Sequence, residues 1–283
     1  LLLVTLLFGV WVGGAKAWLA LGPLRFQPVE FARVLLMLFV VGYLVENRTL
    51  LHLKHGWAAV KYWGPLLVFM SGVFLLLAVQ RDLAPALLLF VVYCLLSMTI
   101  VFSWRLLMIY SGLALSGFTA AYFLFPHFRT RIIAWLNPWN HADGAGYQVL
   151  QGLFALKGGS VLGKGIGLGL GEVIPNVHTD FIFALIGEEL GFVGTVAVLS
   201  SYLIMVFIGL KLCSESTKPL EQYTALGIVL LWSVQTFMIV GGIVRFVPLT
   251  GMTLPFLSFG SSSLVAQMWM LGILASVGRV NIE

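Results

Sequence analysis

The chain has 283 residues, of which 60% are hydrophobic and 10% are charged. Soluble domains are roughly half apolar and about a quarter charged, so this composition excludes a soluble globular domain and predicts an all-α, polytopic membrane protein. The net charge of +5 needs no nucleic-acid partner, because basic loops facing anionic lipid account for it. Cys94 and Cys213 lie in or beside different apolar runs and indicate neither a disulfide framework nor a metal-ligand cluster.

Eight apolar runs predict membrane passages within a single transmembrane domain, and most approach the ~20 residues that a crossing helix needs. The first, "LLLVTLLFGVWV", is too short to cross and lacks the basic start and cleavage site of a signal peptide. We therefore expect it to be the end of a helix that begins upstream, so that one or more N-terminal helices precede this sequence. The runs cover residues 1–12, 28–44, 63–79, 83–102, 106–125, 181–210, 223–244 and 262–277.

Lysine and arginine are distributed unequally between alternate loops, and this bias indicates orientation. The richer side, which we predict to be cytoplasmic, carries Arg48, Lys54, Lys61, Arg105, Lys211, Lys218 and Arg279. The short loops of the other side carry Lys16, Arg25, Arg81 and Arg245. This places the one long connection, residues 126–179, outside the cytoplasm. Because that connection adds further basic residues, the assignment requires it to be a functional element.

Charged residues inside apolar runs are costly and are candidates for functional positions. Glu30 and Arg33 lie three residues apart on a helix that Pro28 starts, so they can form an ion pair on one face. Such a pair favours a structural or regulatory role. Asp82 lies between two runs and is equally compatible with a substrate site and with the N-cap of the helix that starts near Leu83.

The segment "PNVHTDFIFALIGEELG", residues 175–191, brings three carboxylates to the start of an apolar helix. Asp180 would meet the membrane interface there, with His178 and Thr179 as neighbouring hydrogen-bonding groups. Two interpretations of Asp180 remain open: an N-cap of the helix, or a general base for a hydroxyl nucleophile. Glu188 and Glu189 lie about two turns deeper and ~100° apart around the helix, so we expect them to brace it against a neighbour.

The segment "GGSVLGKG", residues 158–165, matches a nucleotide-binding P-loop only in part. Gly165 stands where that loop needs a Ser or Thr to hold magnesium, and no buried strand precedes it, so we expect no nucleotide. The glycines allow backbone N–H groups to approach a ligand closely. Together with Lys164 they favour an anionic ligand, although Lys164 is also compatible with an ordinary solvated loop lysine.

Six segments resemble, in chain order, the signature blocks of the SEDS proteins (shape, elongation, division, sporulation), the RodA/FtsW family. The resemblance runs nearly end to end, and the block that contains Asp180 is highly specific. It implies a SEDS-type bundle of ten membrane helices in the bacterial cytoplasmic membrane, with the catalytic face outside the cytoplasm. The segments are "GAKAWLALGPLRFQPVEFAR", "QRDLAPAL", "LNPWNHADGAGYQVLQ", "GGSVLGKG", "HTDFIFALIGEELGFVG" and "TGMTLPFLSFGSSS".

The resemblance implies a peptidoglycan glycosyltransferase that polymerises glycan strands from lipid II and releases undecaprenyl pyrophosphate. The implied partner is a class B penicillin-binding protein that acts as the transpeptidase. The essential aspartate of the family corresponds to Asp180, and two further family carboxylates correspond to Glu30 and Asp82. We expect cations to neutralise the leaving diphosphate, either basic side chains or a divalent ion such as Mg or Mn. The predicted substrate-binding residues are Lys164, His178, Thr179, Asp82, Arg245 and Ser261.

The sequence departs from the family pattern near Asp82 and in the stretch 258–263, and none of the departures touches Asp180. They are Arg81 and Ala84 in "QRDLA", Phe259 and Ser261 in "SFGSSS", and His141 in "NPWNH", where the family has Pro, Gly, Tyr, Gly and Asp.

Two other functions remain compatible with the sequence: a transporter (flippase) of lipid-linked precursors, and a non-catalytic scaffold for a penicillin-binding protein. Against transport, no inverted repeat is visible, and the most specific motif lies at an interface instead of the membrane midplane. The quoted blocks are common to elongation and division members of the family. Overall resemblance slightly favours the elongation (RodA-like) member.

Overall fold

A computed structural model describes residues 1–22, 24–53 and 57–280. Lys54, counted above on the cytoplasmic side, lies outside these residues. In chain order the α-helices are α1 (Leu2–Phe8), α2 (Pro28–Glu46), α3 (Arg48–Leu53), α4 (Trp57–Val79), α5 (Leu83–Ile100), α6 (Trp104–Leu124), α7 (Pro126–Leu136), α8 (Tyr147–Gly159), α9 (Ile182–Glu215), α10 (Pro219–Ile243) and α11 (Ser261–Val280).

Seven helices of the described part of the chain are long and apolar enough to cross a membrane. They are α2, α4, α5, α6, α9, α10 and α11, and each coincides with one of the predicted runs from residue 28 onward. The chain is therefore a multi-pass, predominantly helical membrane protein. Pro28 occupies the first turn of α2, as predicted, because its fixed φ suits a helix start and its missing N–H has no partner there anyway.

The first run, residues 1–12, was wrongly predicted to be helical to its end. Only α1 is helical, and the chain then forms an antiparallel sheet in the order β1 (Val10–Val12), β2 (Ala15–Leu21), β3 (Leu24–Phe26). Gly13 and Gly14 have φ of 59° and 85°, the left-handed values that a tight two-residue hairpin requires. The periodicity of a short apolar run does not distinguish a strand from a helix. Here Gly13 and Gly14 allow the turn that makes the run end in a strand.

The chain forms two compact units. The first consists of Leu1–Ser116, Ile208–Leu231 and Ser261–Glu283, and the second of Gly117–Phe207 and Trp232–Gly260. In the first unit α2 packs against α5 and α11. Part of its core is a cluster of buried apolar side chains: Leu2, Val29, Ala32, Leu36, Val73, Leu77 and Leu89.

The second unit contains the connection 126–179, which is not a loop throughout, because it includes α7 and α8. Gly152 of α8 lies against the fully buried ring of Phe181: a Cβ at this glycine would be 2.5 Å from Cε1 of the ring. Directly after Phe181 the chain enters α9. That helix is interrupted at Gly191, whose φ of 67° and ψ of −162° are not helical. The long membrane helix is therefore two helical segments joined at a glycine.

Candidate active site

Asp180 lies at the end of a tight turn that leads into α9. Its N–H donates to the carbonyl of Asn176 at 3.0 Å, and the first carbonyl to accept hydrogen bonds from α9 is that of Phe181. Phe181 therefore holds the N-cap position, and Asp180 precedes it. The N-cap interpretation of Asp180 is wrong, because one more residue, Phe181, stands between it and the first residue of the helix. The Asp180 carboxylate therefore does not stand where a helix cap would stand.

The segment 254–259 holds the backbone on both sides of this turn. The N–H of Phe259 donates to the carbonyl of His178 at 2.8 Å. The hydroxyl of Ser258 donates to the carbonyl of Thr179 at 2.5 Å and accepts the N–H of Leu254 at 2.8 Å. His178 and Thr179, predicted to bind substrate, therefore contribute their backbone carbonyls to the framework of the site. The sequence pointed to the 258–263 stretch, but not to this use of Ser258.

Arg131 is the basic residue that the structure brings to Asp180, and the sequence did not single it out. Its guanidinium donates to the carbonyl of Thr250 at 2.5 Å and to that of Leu249 at 3.4 Å. Both side chains converge on Gly251: a Cβ there would lie 3.0 Å from Nη2 of Arg131 and 3.3 Å from Oδ2 of Asp180. A carboxylate and a guanidinium at one point form a site for a hydroxyl and an anion together.

Burial raises the pKa of the half-buried Asp180 carboxyl above its ordinary value, because desolvation disfavours the charged form. A hydrogen bond with the side chain of Thr179 and the positive charge of Arg131 both act in the opposite direction and lower the pKa. Since a base is most effective when its pKa lies near the operating pH, the net upward shift makes this carboxylate a better proton acceptor than a fully solvated one.

Lys164 pairs with Glu188 and not with Asp180: its ammonium lies 2.5 Å from Oε1 of Glu188. The Glu188 side chain is only 3% exposed, and the Lys164 side chain is 35% exposed. Glu188 therefore braces the glycine-rich segment, and Glu189 joins it through its backbone carbonyl, which accepts the N–H of Gly165 at 3.0 Å. The predicted contact of Lys164 with diphosphate stays a prediction.

A family model described as "cell cycle protein", covering FtsW, RodA and SpoVE, matches residues 1–282. The chain belongs to the FtsW/RodA/SpoVE family. The peptidoglycan glycosyltransferase RodA of Mycobacterium tuberculosis (strain ATCC 25618 / H37Rv) is 37% identical over 279 residues, covering 94% of this chain and 58% of RodA. The probable peptidoglycan glycosyltransferase FtsW of Shewanella sediminis (strain HAW-EB3) is 38% identical over 272 residues, covering 93% of this chain and 64% of FtsW.

A solved structure described as "Structural coordination of polymerization and crosslinking by a peptidoglycan synthase complex" superposes with a TM-score of 0.80. It is 28% identical and covers 99% of this chain and 78% of the matched chain. The predicted family and the SEDS-type helical fold are thereby confirmed. This FtsW/RodA/SpoVE-family chain spans 58% and 64% of the length of the two curated relatives above.

Arg245 of this family member holds the end of α7. Its guanidinium donates to the carbonyls of Trp135 at 2.9 Å and Leu136 at 3.3 Å, and its own carbonyl accepts the indole N–H of Trp135 at 3.0 Å. A cation at the C-terminus of a helix satisfies carbonyls that have no partner inside the helix and opposes the helix dipole. Its predicted role toward diphosphate is untested, and its visible role is to fix the helix that carries Arg131.

Asp82 and Ser261 belong to the first unit. Asp82 occupies the N-cap position of α5, as the cap interpretation predicts. Its side chain makes no capping hydrogen bond there. Ser261 is the exposed first residue of α11. Its neighbour Ser262 accepts the N–H of Gln27 at 3.0 Å and thereby ties α11 to the start of α2. Substrate contacts of Asp82 and Ser261 stay predictions.

Glu30 and Arg33 form the predicted ion pair, with Oε2 and Nη2 separated by 2.5 Å. Both residues are buried, at 6% and 2% exposure. Two charges removed from water are tolerated only as a pair, so each side chain requires the other. The pairing is confirmed, and the structural or regulatory role of the two residues stays a prediction.

Across residues 1–22, 24–53 and 57–280, no three His, Cys, Asp or Glu side chains lie together in an arrangement that could hold a metal ion. A divalent ion held by protein side chains alone therefore does not fit these residues, because such sites use several carboxylate or imidazole ligands. A divalent ion held partly by the diphosphate of the substrate stays a prediction.

Proposed function

We propose that this protein is a peptidoglycan glycosyltransferase that polymerises glycan strands from lipid II. The observation that carries the proposal is the meeting of Asp180 and Arg131 at Gly251, with Asp180 two residues before the long membrane helix α9 begins. A substrate with a sugar head and a lipid tail is held where such a helix enters the membrane. The curated names of the RodA and FtsW relatives support the same activity.

In the proposed reaction the Asp180 carboxylate accepts the proton of a hydroxyl on the acceptor sugar. The hydroxyl oxygen attacks the anomeric carbon of a second lipid-linked sugar and forms the new glycosidic bond. The bond from that carbon to the diphosphate oxygen breaks, and undecaprenyl pyrophosphate leaves with the bonding electron pair. A sugar activated by diphosphate needs little protonation of its leaving group, so one carboxylate suffices where glycosidases use two.

The negative charge that develops on the departing diphosphate requires a positive partner. Arg131 is suited to this part, because its guanidinium is exposed, lies next to Asp180 and is held in place by two backbone carbonyls. A guanidinium presents its donors in a fixed fork that matches phosphate oxygens. Lys164 and Arg245 are already engaged by Glu188 and by the end of α7, which makes Arg131 the preferred candidate of the three.

We further propose that the protein acts in the bacterial cytoplasmic membrane, with Asp180 on the extracytoplasmic face, beside a class B penicillin-binding protein. The matched peptidoglycan synthase complex, in which polymerisation and crosslinking are coordinated, supports such a partner. The elongation role, which the sequence slightly favoured, stays a prediction, since the identities to the RodA and FtsW relatives are 37% and 38%.

The test is polymerisation by the purified full-length protein in lipid vesicles, with fluorescent lipid II and no other polymerase. We expect long glycan chains, resolved by gel electrophoresis, and release of undecaprenyl pyrophosphate. A protein that moves lipid II across the vesicle membrane without lengthening any glycan chain would be a transporter. A protein that does neither, but stimulates a penicillin-binding protein, would be a scaffold. Either outcome would overturn the proposal.

A further inference from the structure

The break in α9 is filled by another part of the chain. At Gly191 the helical hydrogen bonding is interrupted, which leaves carbonyls before the break and N–H groups after it without helical partners. In an apolar environment each unsatisfied backbone group is costly. Residues 160–165 supply the partners in both directions: Phe192 N–H to Ser160 carbonyl at 2.9 Å, Val193 N–H to Val161 carbonyl at 3.2 Å, Lys164 N–H to Glu188 carbonyl at 3.0 Å, and Gly165 N–H to Glu189 carbonyl at 3.0 Å.

The glycines of "GGSVLGKG" and "GEELG" make this insertion sterically possible. A Cβ at Gly163 would lie 2.1 Å from the carbonyl oxygen of Glu189, and a Cβ at Gly191 would lie 2.3 Å from the nitrogen of Gly163. Both residues also have positive φ, of 80° and 67°. The glycine-rich segment is thus shaped to meet the backbone of α9, and we refer to residues 160–165 as the inserted loop.

One ion pair fastens the inserted loop. The ammonium of Lys164 lies 2.5 Å from Oε1 of Glu188, whose side chain is 3% exposed. A glutamate this deeply buried is tolerated only with a partner, because an isolated charge in a low-dielectric setting is strongly destabilising. This ion pair lies beside the backbone bonds that fill the break, since Glu188 and Lys164 also share one of those bonds, and a single substitution removes it.

The contacts of the inserted loop also bear on the position of Asp180. Glu188 follows Asp180 by eight residues, and α8, which runs directly into the inserted loop, packs Gly152 onto the ring of Phe181. The stretch from Phe181 to Glu188 is thus gripped at one end by α8 and at the other by Lys164. A shift of this stretch would carry Asp180 with it.

We propose that Lys164 is a positioning residue, which pins the inserted loop into the break of α9 through Glu188 and so fixes Asp180. Its effect on catalysis rests on the proposed function, and its effect on the backbone does not. This assignment competes with the prediction that Lys164 contacts the diphosphate. The two differ in one respect: a positioning lysine becomes dispensable when Glu188 no longer carries a charge.

The experiment compares Lys164→Met, Glu188→Gln and the double variant in the full-length protein. Hydrogen exchange of the peptides that contain 160–165 and 192–193 reports the backbone, and chain synthesis from lipid II reports activity. Lys164→Met should accelerate exchange of both peptides by at least about tenfold, since it leaves a buried charge alone. Glu188→Gln should do so less, because the 35% exposed Lys164 side chain can be hydrated. The double variant should return to within about threefold of the parent.

Lys211→Met is the matched control, because Lys211 and Glu215 form an exposed pair, 3.8 Å apart, in the same helix; it should change neither measurement. Chain synthesis should fall in Lys164→Met and recover in the double variant. If the double variant exchanges like the parent and is as inactive as Lys164→Met, Lys164 contacts substrate and the positioning role is overturned. If both peptides of Lys164→Met exchange at the parental rate, Lys164 does not hold the inserted loop in place, and the proposal is overturned. If the parent protein does not polymerise lipid II, the proposed function fails. The hydrogen-exchange data still show whether Lys164 holds the inserted loop in place.

Discussion

Gly251→Ala tests whether Asp180 and Arg131 act together at one point. The new Cβ would lie 3.0 Å from Nη2 of Arg131 and 3.3 Å from Oδ2 of Asp180, closer than ordinary van der Waals contact, so one of them must move by a few tenths of an ångström. If the Arg131 guanidinium is the group that moves, its hydrogen bond to the carbonyl of Thr250, now 2.5 Å, changes with it. Because a misplacement of ~1 Å can cost about 10²-fold in rate, we expect a loss of about three- to tenfold.

The substitution also strains the backbone, since Gly251 has φ of 70° and a left-handed alanine costs about 1–2 kcal/mol. Gly167→Ala is the matched control: Gly167 has φ of 74° and no atom within 4 Å of its added Cβ. Both variants should lose similar thermal stability, and only Gly251→Ala should lose chain synthesis from lipid II. Equal activities of the two variants, at equal amounts of folded protein, would refute the shared contact point.

Three further predictions concern the Asp180 carboxyl and the Glu30–Arg33 ion pair. Polymerisation should fall as pH decreases through the raised pKa of Asp180, and Arg131→Gln should move this acidic limb of the pH–rate profile to higher pH; an unmoved limb would argue that the two groups do not interact. The pKa of Asp180 is raised in the folded protein, so the protonated carboxyl stabilises the fold below its ordinary pKa, and this stability is lost as pH rises through the raised pKa. Asp180→Asn should therefore flatten this part of the plot of melting temperature against pH. An unchanged slope would contradict the prediction. Glu30→Gln should destabilise the protein by about 3–5 kcal/mol by isolating buried Arg33, and Glu30→Gln with Arg33→Met by less; equal losses in thermal unfolding would show that Glu30 does not act through Arg33.

The membrane helices could be predicted because each is marked by a continuous run of apolar residues in the sequence. Pro28 sets the start of α2, and the spacing of Glu30 and Arg33 gave their ion pair, since residues three apart on a helix are neighbours. The first run failed because α1 is only seven residues long and the hairpin that follows it depends on Gly13 and Gly14. In a short apolar run such a turn is the deciding feature.

The site could be predicted only in part, because most of its contacts join residues far apart in the chain. Asp180 was found from its carboxylate at the start of an apolar helix, and its family block made it specific. Arg131 is separated from the carbonyls that hold it by 118 and 119 residues, and nothing local in "FRTRIIAWL" indicates that contact. Lys164 was predicted to contact an anionic ligand, and that contact stays a prediction. Its partner Glu188 lies 24 residues away and became visible only with the fold.

The central claim is that Asp180 is the base that accepts the proton of the acceptor hydroxyl, and Asp180→Asn tests it most directly. The amide keeps the size of the side chain and cannot accept that proton. Glu172→Gln, which removes an exposed carboxylate from the same connection, is the control. With both full-length variants in vesicles, matched in amount and in melting behaviour, we predict no glycan chains from lipid II for Asp180→Asn and parental synthesis for Glu172→Gln. Chain synthesis at the parental rate by a folded Asp180→Asn protein would contradict the account.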